Sequence, residues 1–266
     1  MAKTTDVPHE IRAFNKVFQE LEYRHHAATI FDDYLSYCIY VFNTERNPAD
    51  LERLKSSYGN QYECLVRMFH EHIAAMDKML STDTDWYDLL GTYYEVINSR
   101  SKSSAMGQFF TPSTLCDFMA IINGADESKG KGVTVNDPAC GSGRTLLAWH
   151  AKAPGNYLFG DDIDSMCTKM CAVNFLLHGV VGQACNMDTL RMEYRYGYAI
   201  NEKLTAFGEV SLRPITEEEA NAQRWYLTKR GKIEREETIP EETQLEQVDI
   251  KFDGKGQGNF LSLFEC

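Results

Sequence analysis

From about Glu10 to Ile97 apolar residues recur at three- and four-residue spacing, as in Phe14, Val17, Phe18 and Leu21 and again in Leu65, Met68, Phe69 and Ile73. That is the period of helices with one buried face. Asn47-Pro48-Ala49-Asp50 and Ser81-Thr82-Asp83-Thr84-Asp85 interrupt it with turn and N-cap chemistry, so the stretch reads as three or four helices whose aromatics are core. Asn98 to Ser104 is polar and basic, the composition of a linker. Beyond it the period changes. Val133-Thr134-Val135-Asn136 predicts a short buried strand, and Asp137-Pro138-Ala139-Cys140-Gly141-Ser142-Gly143 the turn leaving its carboxyl end. A helix from Arg144 to about Ala151 follows. Pro154-Gly155-Asn156 then breaks the chain before a second strand, Tyr157-Leu158-Phe159-Gly160, which runs into Asp161, Asp162 and Asp164. A helix from about Met166 to His178 is closed by Gly179, and Gly182-Gln183-Ala184-Cys185 predicts a third strand with Asn186 and Asp188 at its end. Strand, glycine turn, helix, strand, acid is a right-handed βαβ crossover, whose ligand belongs at the carboxyl ends of the strands.

Composition bounds what such a unit can do. The chain has 266 residues, 43% of them apolar, enough for a substantial core in one large or two modest domains. Its first residues carry no apolar run behind a basic cap, and eighteen consecutive apolar residues occur nowhere, which predicts a cytoplasmic protein with neither signal peptide nor membrane span. The eight cysteines are scattered rather than set in Cys-x-x-Cys pairs, so reduced thiols are expected and a zinc site is not. A net charge of −12 is the wrong sign for gripping a phosphate backbone with the whole surface. Any contact with nucleic acid must use a local basic patch or a partner.

The glycine turn carries the candidate chemistry. Gly141 and Gly143 let the backbone approach a ligand closely, and Asp162, about twenty positions downstream, stands where such folds hydrogen-bond ribose hydroxyls. A nucleoside-bearing cofactor follows, not necessarily a dinucleotide, because Gly-Ser-Gly lacks the third glycine of the dinucleotide fingerprint. An ordinary tight turn followed by an unrelated aspartate is the alternative, and the glycines alone leave both open.

Four segments taken in order narrow the choice: Gly107-Gln108-Phe109-Phe110-Thr111-Pro112, Asp137 to Gly143, Gly160-Asp161-Asp162-Ile163-Asp164, and Asn174-Phe175-Leu176-Leu177-His178-Gly179. Together they resemble the modification subunits of type I restriction systems, which are DNA adenine-N6 methyltransferases, over about Leu89 to Leu190. The expected fold is α/β: by its period a helical domain over 1–104, by the resemblance a Rossmann-like S-adenosylmethionine-dependent methyltransferase domain over 105–190, and by composition a divergent acidic region with a partly mobile tail over 191–266. It implies S-adenosylmethionine as cofactor. Phe110, Thr111 and Pro112 would close over the methionine end, and the loop of Ala139, Gly141 and Gly143 would pass beside the carboxylate and sulfonium. Asp137 would accept from the methionine ammonium, Asp162 from the ribose, and Asp188 from the exocyclic amine of the adenine against which Ile163 packs. Asp188 as a helix N-cap, and Asp161 or Asp164 as a solvated strand-end acid, are the plainer readings.

The chain also departs from the family. Methylating an adenine amine needs a flipped base held by stacking, which the family supplies from an Asn-Pro-Pro-aromatic tetrapeptide after the fourth strand. All seven prolines here stand alone, so the tetrapeptide is absent and no catalytic residue can be assigned. After Asp188 come Arg191-Met192-Glu193-Tyr194-Arg195-Tyr196 and glutamate-rich segments, which predict a truncated sheet with a short added strand near Trp225-Tyr226-Leu227-Thr228. Three functions compete: a cofactor-binding component that needs a catalytic or specificity subunit to reach and modify DNA, an inactive relative serving as a cofactor-sensing or protein-interaction module, and an active enzyme with a substitute site. At the terminus, Leu261-Ser262-Leu263-Phe264 resembles the short peptide by which bacterial proteins dock on the replication sliding clamp.

Overall fold

In the computed structural model, residues 7–82, 84–100, 110–126, 133–204 and 208–224 are described. They divide into two compact units, one drawn from 7–41 and 46–111, the other from 42–45 and 112–224.

The first unit holds five α-helices rather than three or four: α1 Arg12–Leu21, α2 Ala27–Phe42, α3 Pro48–Tyr58, α4 Tyr62–Leu80 and α5 Leu89–Arg100. The turn chemistry acts as expected at α3, where the Asn47 side chain accepts from the Ala49 N–H at 3.1 Å and Pro48 opens the helix. Helical spacing brings Phe14, Phe18, Tyr34 and Tyr93 together in a fully buried cluster, with Phe14 and Tyr93 edge-to-face at 4.9 Å between ring centroids. The hydroxyls of these tyrosines have partners: Tyr34 shares a 2.8 Å bond with His72 Nδ1, and Tyr93 donates to Asn15 Oδ1 at 2.9 Å.

The second unit is built on one five-stranded sheet in the order β1-β2-β3-β4-β5: β1 Thr134–Asp137, β2 Tyr157–Asp162, β3 Gly182–Asp188, β4 Glu193–Ile200 and β5 Leu212–Ile215. β1, β2 and β3 are parallel, while β4 and β5 are antiparallel additions on the far side of β3. The parallel strands are joined through α7 (Arg144–Lys152) and α8 (Ser165–Leu177), and α6 (Ser113–Ile122) precedes β1. Both crossovers move the same way across the sheet, and right-handedness puts α7 and α8 on one face. α9 (Glu217–Arg224) packs its buried Ala220 with Cys185, Ala199 and Ile215.

The fold is thus helical at the amino end and α/β beyond it, as the periodicities predict, but the sheet differs from expectation in two ways. β3 continues to Asp188, and the stretch beginning Glu193-Tyr194-Arg195-Tyr196 is a strand. Its polar residues alternate with aromatics on the two faces of an edge-side ribbon, a pattern that composition alone conceals. The segment Trp225 to Thr228 and the terminal Leu-Ser-Leu-Phe lie outside the described residues. The seven described cysteines are buried and form no disulfide among the described residues, where no helix is long and apolar enough to cross a membrane.

Asn201 ties the antiparallel part to the parallel part. It is fully buried with φ of 56°, a left-handed conformation that asparagine tolerates better than most residues. Its Nδ2 donates to the carbonyls of Phe175, Leu176 and Val180 at 3.2, 3.2 and 3.0 Å, and its Oδ1 accepts from the Ser211 N–H. The Phe175 and Leu176 carbonyls also accept from the Val180 and Gly179 N–H groups where the helix ends, whereas the Ser211 N–H relies on the Asn201 side chain. Asn201→Ala should therefore lower unfolding stability by about 2–4 kcal/mol, from buried groups left unpaired and from strain. Denaturant unfolding checks this, and a loss below about 1 kcal/mol contradicts it.

Candidate functional site

Each parallel strand ends on an aspartate: Asp137 on β1, Asp162 on β2 and Asp188 on β3. Asp137 is paired with Gly160, and Asp162 with Asn186, so each acid stands two residues further out than the one before, about 7 Å along the strand direction. Side chains alternate with period two, so all three project to one face. Gly160 shares that face, and a Cβ there would lie 2.6 Å from the Cys171 sulfur of α8 and 3.1 Å from that of Cys140. The bare glycine is what lets the loop after β1, strand β2 and helix α8 pack so closely.

The loop is held from several sides. Gly141 and Gly143 have φ of 56° and 91°, which L side chains rarely adopt, and Gly143 is the N-cap of α7. The Gly141 N–H donates to Asp162 Oδ2 at 2.8 Å, while Asp162 Oδ1 accepts from the Asp164 N–H at 2.9 Å. Burial raises the Asp162 pKa from its ordinary value despite these two donors, and the nearby Asp164 and Asp137 charges add to the rise. Asp137 accepts from the Ala139 N–H at 3.1 Å and from the Thr145 hydroxyl. Asn174 Nδ2 donates to the Ser142 carbonyl at 2.8 Å, so the fourth sequence segment serves to brace the glycine loop.

Other candidates are placed as follows. Asp188 Oδ1 accepts from the N–H groups of Leu190 and Arg191, both at 3.1 Å, which makes it the organiser of the turn after β3. Asp164 caps α8 by accepting from the Met166 N–H at 2.7 Å. His178 is the C-cap of the same helix, followed by Gly179 at positive φ. Ile163 is 53% exposed just past Asp162, an apolar side chain beside a cluster of acids. Pro112 is the N-cap of α6 in the α/β unit. Phe110 and Thr111 belong to the helical unit, where the Phe110 N–H donates to Glu95 and its ring lies 5.8 Å from that of Tyr94. Phe109 lies outside the described residues.

Several supports were not legible from sequence. Asn186 Nδ2 donates to the carbonyls of Asp162 and Ile163 at 3.0 Å each, and the Arg195 guanidinium donates to the Ile163 carbonyl at 3.0 Å. Arg195 reaches that point because Asn186 pairs with Tyr196 and Met187 with Tyr194, leaving it as the extra residue of a bulge. Thr189 donates to the Pro138 carbonyl at 3.1 Å, joining the ends of β3 and β1. A bulge and a contact across the ends of two strands have no local sequence signal.

Comparison with known proteins bears on this region. A family model described as N-6 DNA methylase matches residues 85–201. The type I restriction enzyme EcoEI methylase subunit of Escherichia coli is 21% identical over 62% of this chain and 34% of its own length. The type I restriction enzyme MjaVII methylase subunit of Methanocaldococcus jannaschii is 27% identical over 53% of this chain and 25% of its own. A solved methyltransferase subunit of a type I restriction-modification system from Streptococcus thermophilus is 24% identical over 45% of this chain and 26% of that one, with a TM-score of 0.29. The chain spans about a third or less of the length of the curated relatives it matches. The span that matches the N-6 DNA methylase family model contains the glycine loop and all three strand-end aspartates.

Proposed function

We propose that the α/β unit binds S-adenosylmethionine at the carboxyl ends of β1, β2 and β3, and that the chain is the cofactor-binding component of a DNA adenine-N6 methyltransferase whose base-binding half lies on another chain. The observation that carries the reading is the stepped set of Asp137, Asp162 and Asp188 on one sheet face, with the glycine loop bonded to the middle acid. This donor set suits the cofactor's chemistry. Asp162 keeps unused lone pairs on both oxygens for ribose hydroxyls, Asp137 can take an ammonium, and Asp188 an amine. The opening of α7 offers backbone dipoles to a carboxylate, and Ile163 an apolar contact for a purine ring. Bound there, the cofactor would supply an electrophilic methyl group. The chain's own residues would orient it and shield it from water.

Phe110, Thr111 and Pro112 would contribute at the methionine end of the cofactor. Contact with DNA would come through a specificity or catalytic subunit, in keeping with the acidic balance of the chain and a cytoplasmic setting. The terminal Leu-Ser-Leu-Phe would be a separate clamp-docking peptide.

Two measurements test the reading. Calorimetric titration should show S-adenosylmethionine binding to the full chain, and absence of binding at millimolar cofactor sinks it in favour of a protein-interaction module. Transfer of labelled methyl groups to mixed-sequence DNA by the chain alone should stay at background, because no Asn-Pro-Pro-aromatic segment is present to hold a flipped adenine. Transfer that disappears in Asp137→Ala would instead reveal a substitute catalytic site.

A further inference from the structure

Two thiols meet beneath the glycine loop. Cys140 belongs to the loop itself and Cys171 stands at the middle of α8, yet both sulfurs lie against Gly160 of β2, where a Cβ would come within 3.1 Å of the first and 2.6 Å of the second. The two side chains are in hydrogen-bonding contact with each other. Cys171 is fully buried, and Cys140 is 6% exposed. The Cys171 sulfur would also lie 3.1 Å from a Cβ on Gly143, so two bare glycines, one on β2 and one at the start of α7, make room for the same sulfur.

The pair sits where the loop is fixed. The Cys140 N–H donates to the Asp161 carbonyl at 2.9 Å, its carbonyl accepts from the Gly143 N–H at 2.8 Å, and its thiol donates to the Gly141 carbonyl at 3.5 Å. The next N–H along the chain, that of Gly141, donates to Asp162. Any movement of Cys140 is therefore passed directly to the bond between Gly141 and Asp162. A single buried cysteine is a small apolar filler. Two in contact have a chemistry that other small apolar pairs lack, because oxidation can join them.

We propose that Cys140 and Cys171 are a redox latch on the glycine loop, closed into a disulfide by a peroxide-class oxidant and reopened by a thiol. Its consequence for the cofactor rests on the function proposed above, whereas the bond itself does not. With the loop seated, the Cys171 thiol, burial and the charges of Asp162 and Asp137 hold the Cys140 thiol well above its ordinary pKa, and a protonated, buried thiol is inert. Local opening of the loop brings Cys140 to water, while Cys171 stays in its helix. The Cys140 sulfur, as thiolate, then attacks a peroxide oxygen, the O–O bond breaks, and the sulfur becomes a sulfenic acid as one water leaves. The Cys171 sulfur attacks that sulfur, the S–O bond breaks, and a second water leaves with the Cys171 proton. Two thiols have lost two electrons and two protons, and one peroxide has become two waters. The new S–S bond is about 2 Å long, roughly 1.5 Å shorter than a contact between unbonded sulfurs. Cys171 is held in the helix, so the loop takes up the difference. Gly141 is drawn from Asp162, and the cofactor-binding shape is lost.

The test treats the reduced full chain with millimolar hydrogen peroxide and follows it by intact mass and peptide mapping. The expected product has lost two hydrogens, joins the peptides of Cys140 and Cys171, and returns to the starting mass with dithiothreitol. In that product the Kd for S-adenosylmethionine should rise about tenfold or more, and fall back on reduction. Cys140→Ala and Cys171→Ala, whatever their affinity when reduced, should each keep it through the same treatment, and either serves alone if the other does not fold. No oxidation, irreversible sulfinic acid alone, a bond between other cysteines, or a bond between Cys140 and Cys171 that leaves Kd unchanged each overturn the proposal. If the reduced wild-type chain binds no cofactor, the cofactor reading falls and the latch is read on the loop itself. Amide hydrogen exchange over 138–145 should then change about fivefold or more on oxidation and revert with dithiothreitol, and an unchanged pattern overturns the latch.

Discussion

Asp162→Ala should weaken S-adenosylmethionine binding by about 1–3 kcal/mol, about five- to a hundred-fold in Kd, the cost of losing a partly buried acceptor for hydroxyl groups. The same carboxylate holds the Gly141 and Asp164 N–H groups, so part of the loss will come from a glycine loop no longer fixed in place. Asp162→Asn separates the two contributions. Its one remaining oxygen can accept from a single N–H, so loop order should be partly kept while the charged acceptor is gone. Thermal unfolding without cofactor gives the structural share, and calorimetry of the folded variants gives the binding share. The pH dependence carries a further sign. Burial raises the Asp162 pKa, so the fraction of carboxylate drops at a higher pH than for an ordinary aspartate, and wild-type affinity should weaken correspondingly early on acidification. A folded Asp162→Ala chain with unchanged Kd would remove Asp162 from the site.

Gly182→Ala should cost about 3 kcal/mol or more, a large share of the stability of a domain this size. A Cβ at this position would lie 2.0 Å from the Leu158 carbonyl oxygen and 2.9 Å from its carbon, both in the backbone of the neighbouring strand. No rotamer change relieves such a contact, so β2 and β3 must separate where Leu158 pairs with Gly182. That pair sits at the start of the ladder that sets Asp162 against Asn186, so cofactor binding should be lost with the stability. Gly208→Ala is the control: φ is +68° and the space is open, so it should show only the strain of a left-handed alanine, about 1 kcal/mol. A Gly182→Ala midpoint as high as that of Gly208→Ala contradicts the packing argument.

Much of the α/β unit could be read from local pattern, because the interactions that specify it are local. Gly141 and Gly143 are needed for positive φ in a turn that their own neighbours define, and Asn47-Pro48 starts a helix through bonds two residues long. The helical period over 10–97 comes from one-sided burial, which any amphipathic helix requires whatever it packs against. Strand-end acids were visible as residue types for the same reason. Their arrangement was not. That Asp137, Asp162 and Asp188 step outward on one face is a consequence of register between strands separated by whole helices, and register is fixed by which residues pair, not by what precedes them in the chain. Arg195 reached the Ile163 carbonyl through a bulge against a strand that polar composition had concealed. Phe110 and Thr111, adjacent in sequence to the α/β unit, were assigned by contacts to the helical one. The apolar residues of α6 were legible as letters, but that Leu115, Phe118, Ile121 and Ile122 stay exposed while Cys116 and Ala120 are buried was not, because exposure is a property of the packed molecule and has no counterpart in a single segment.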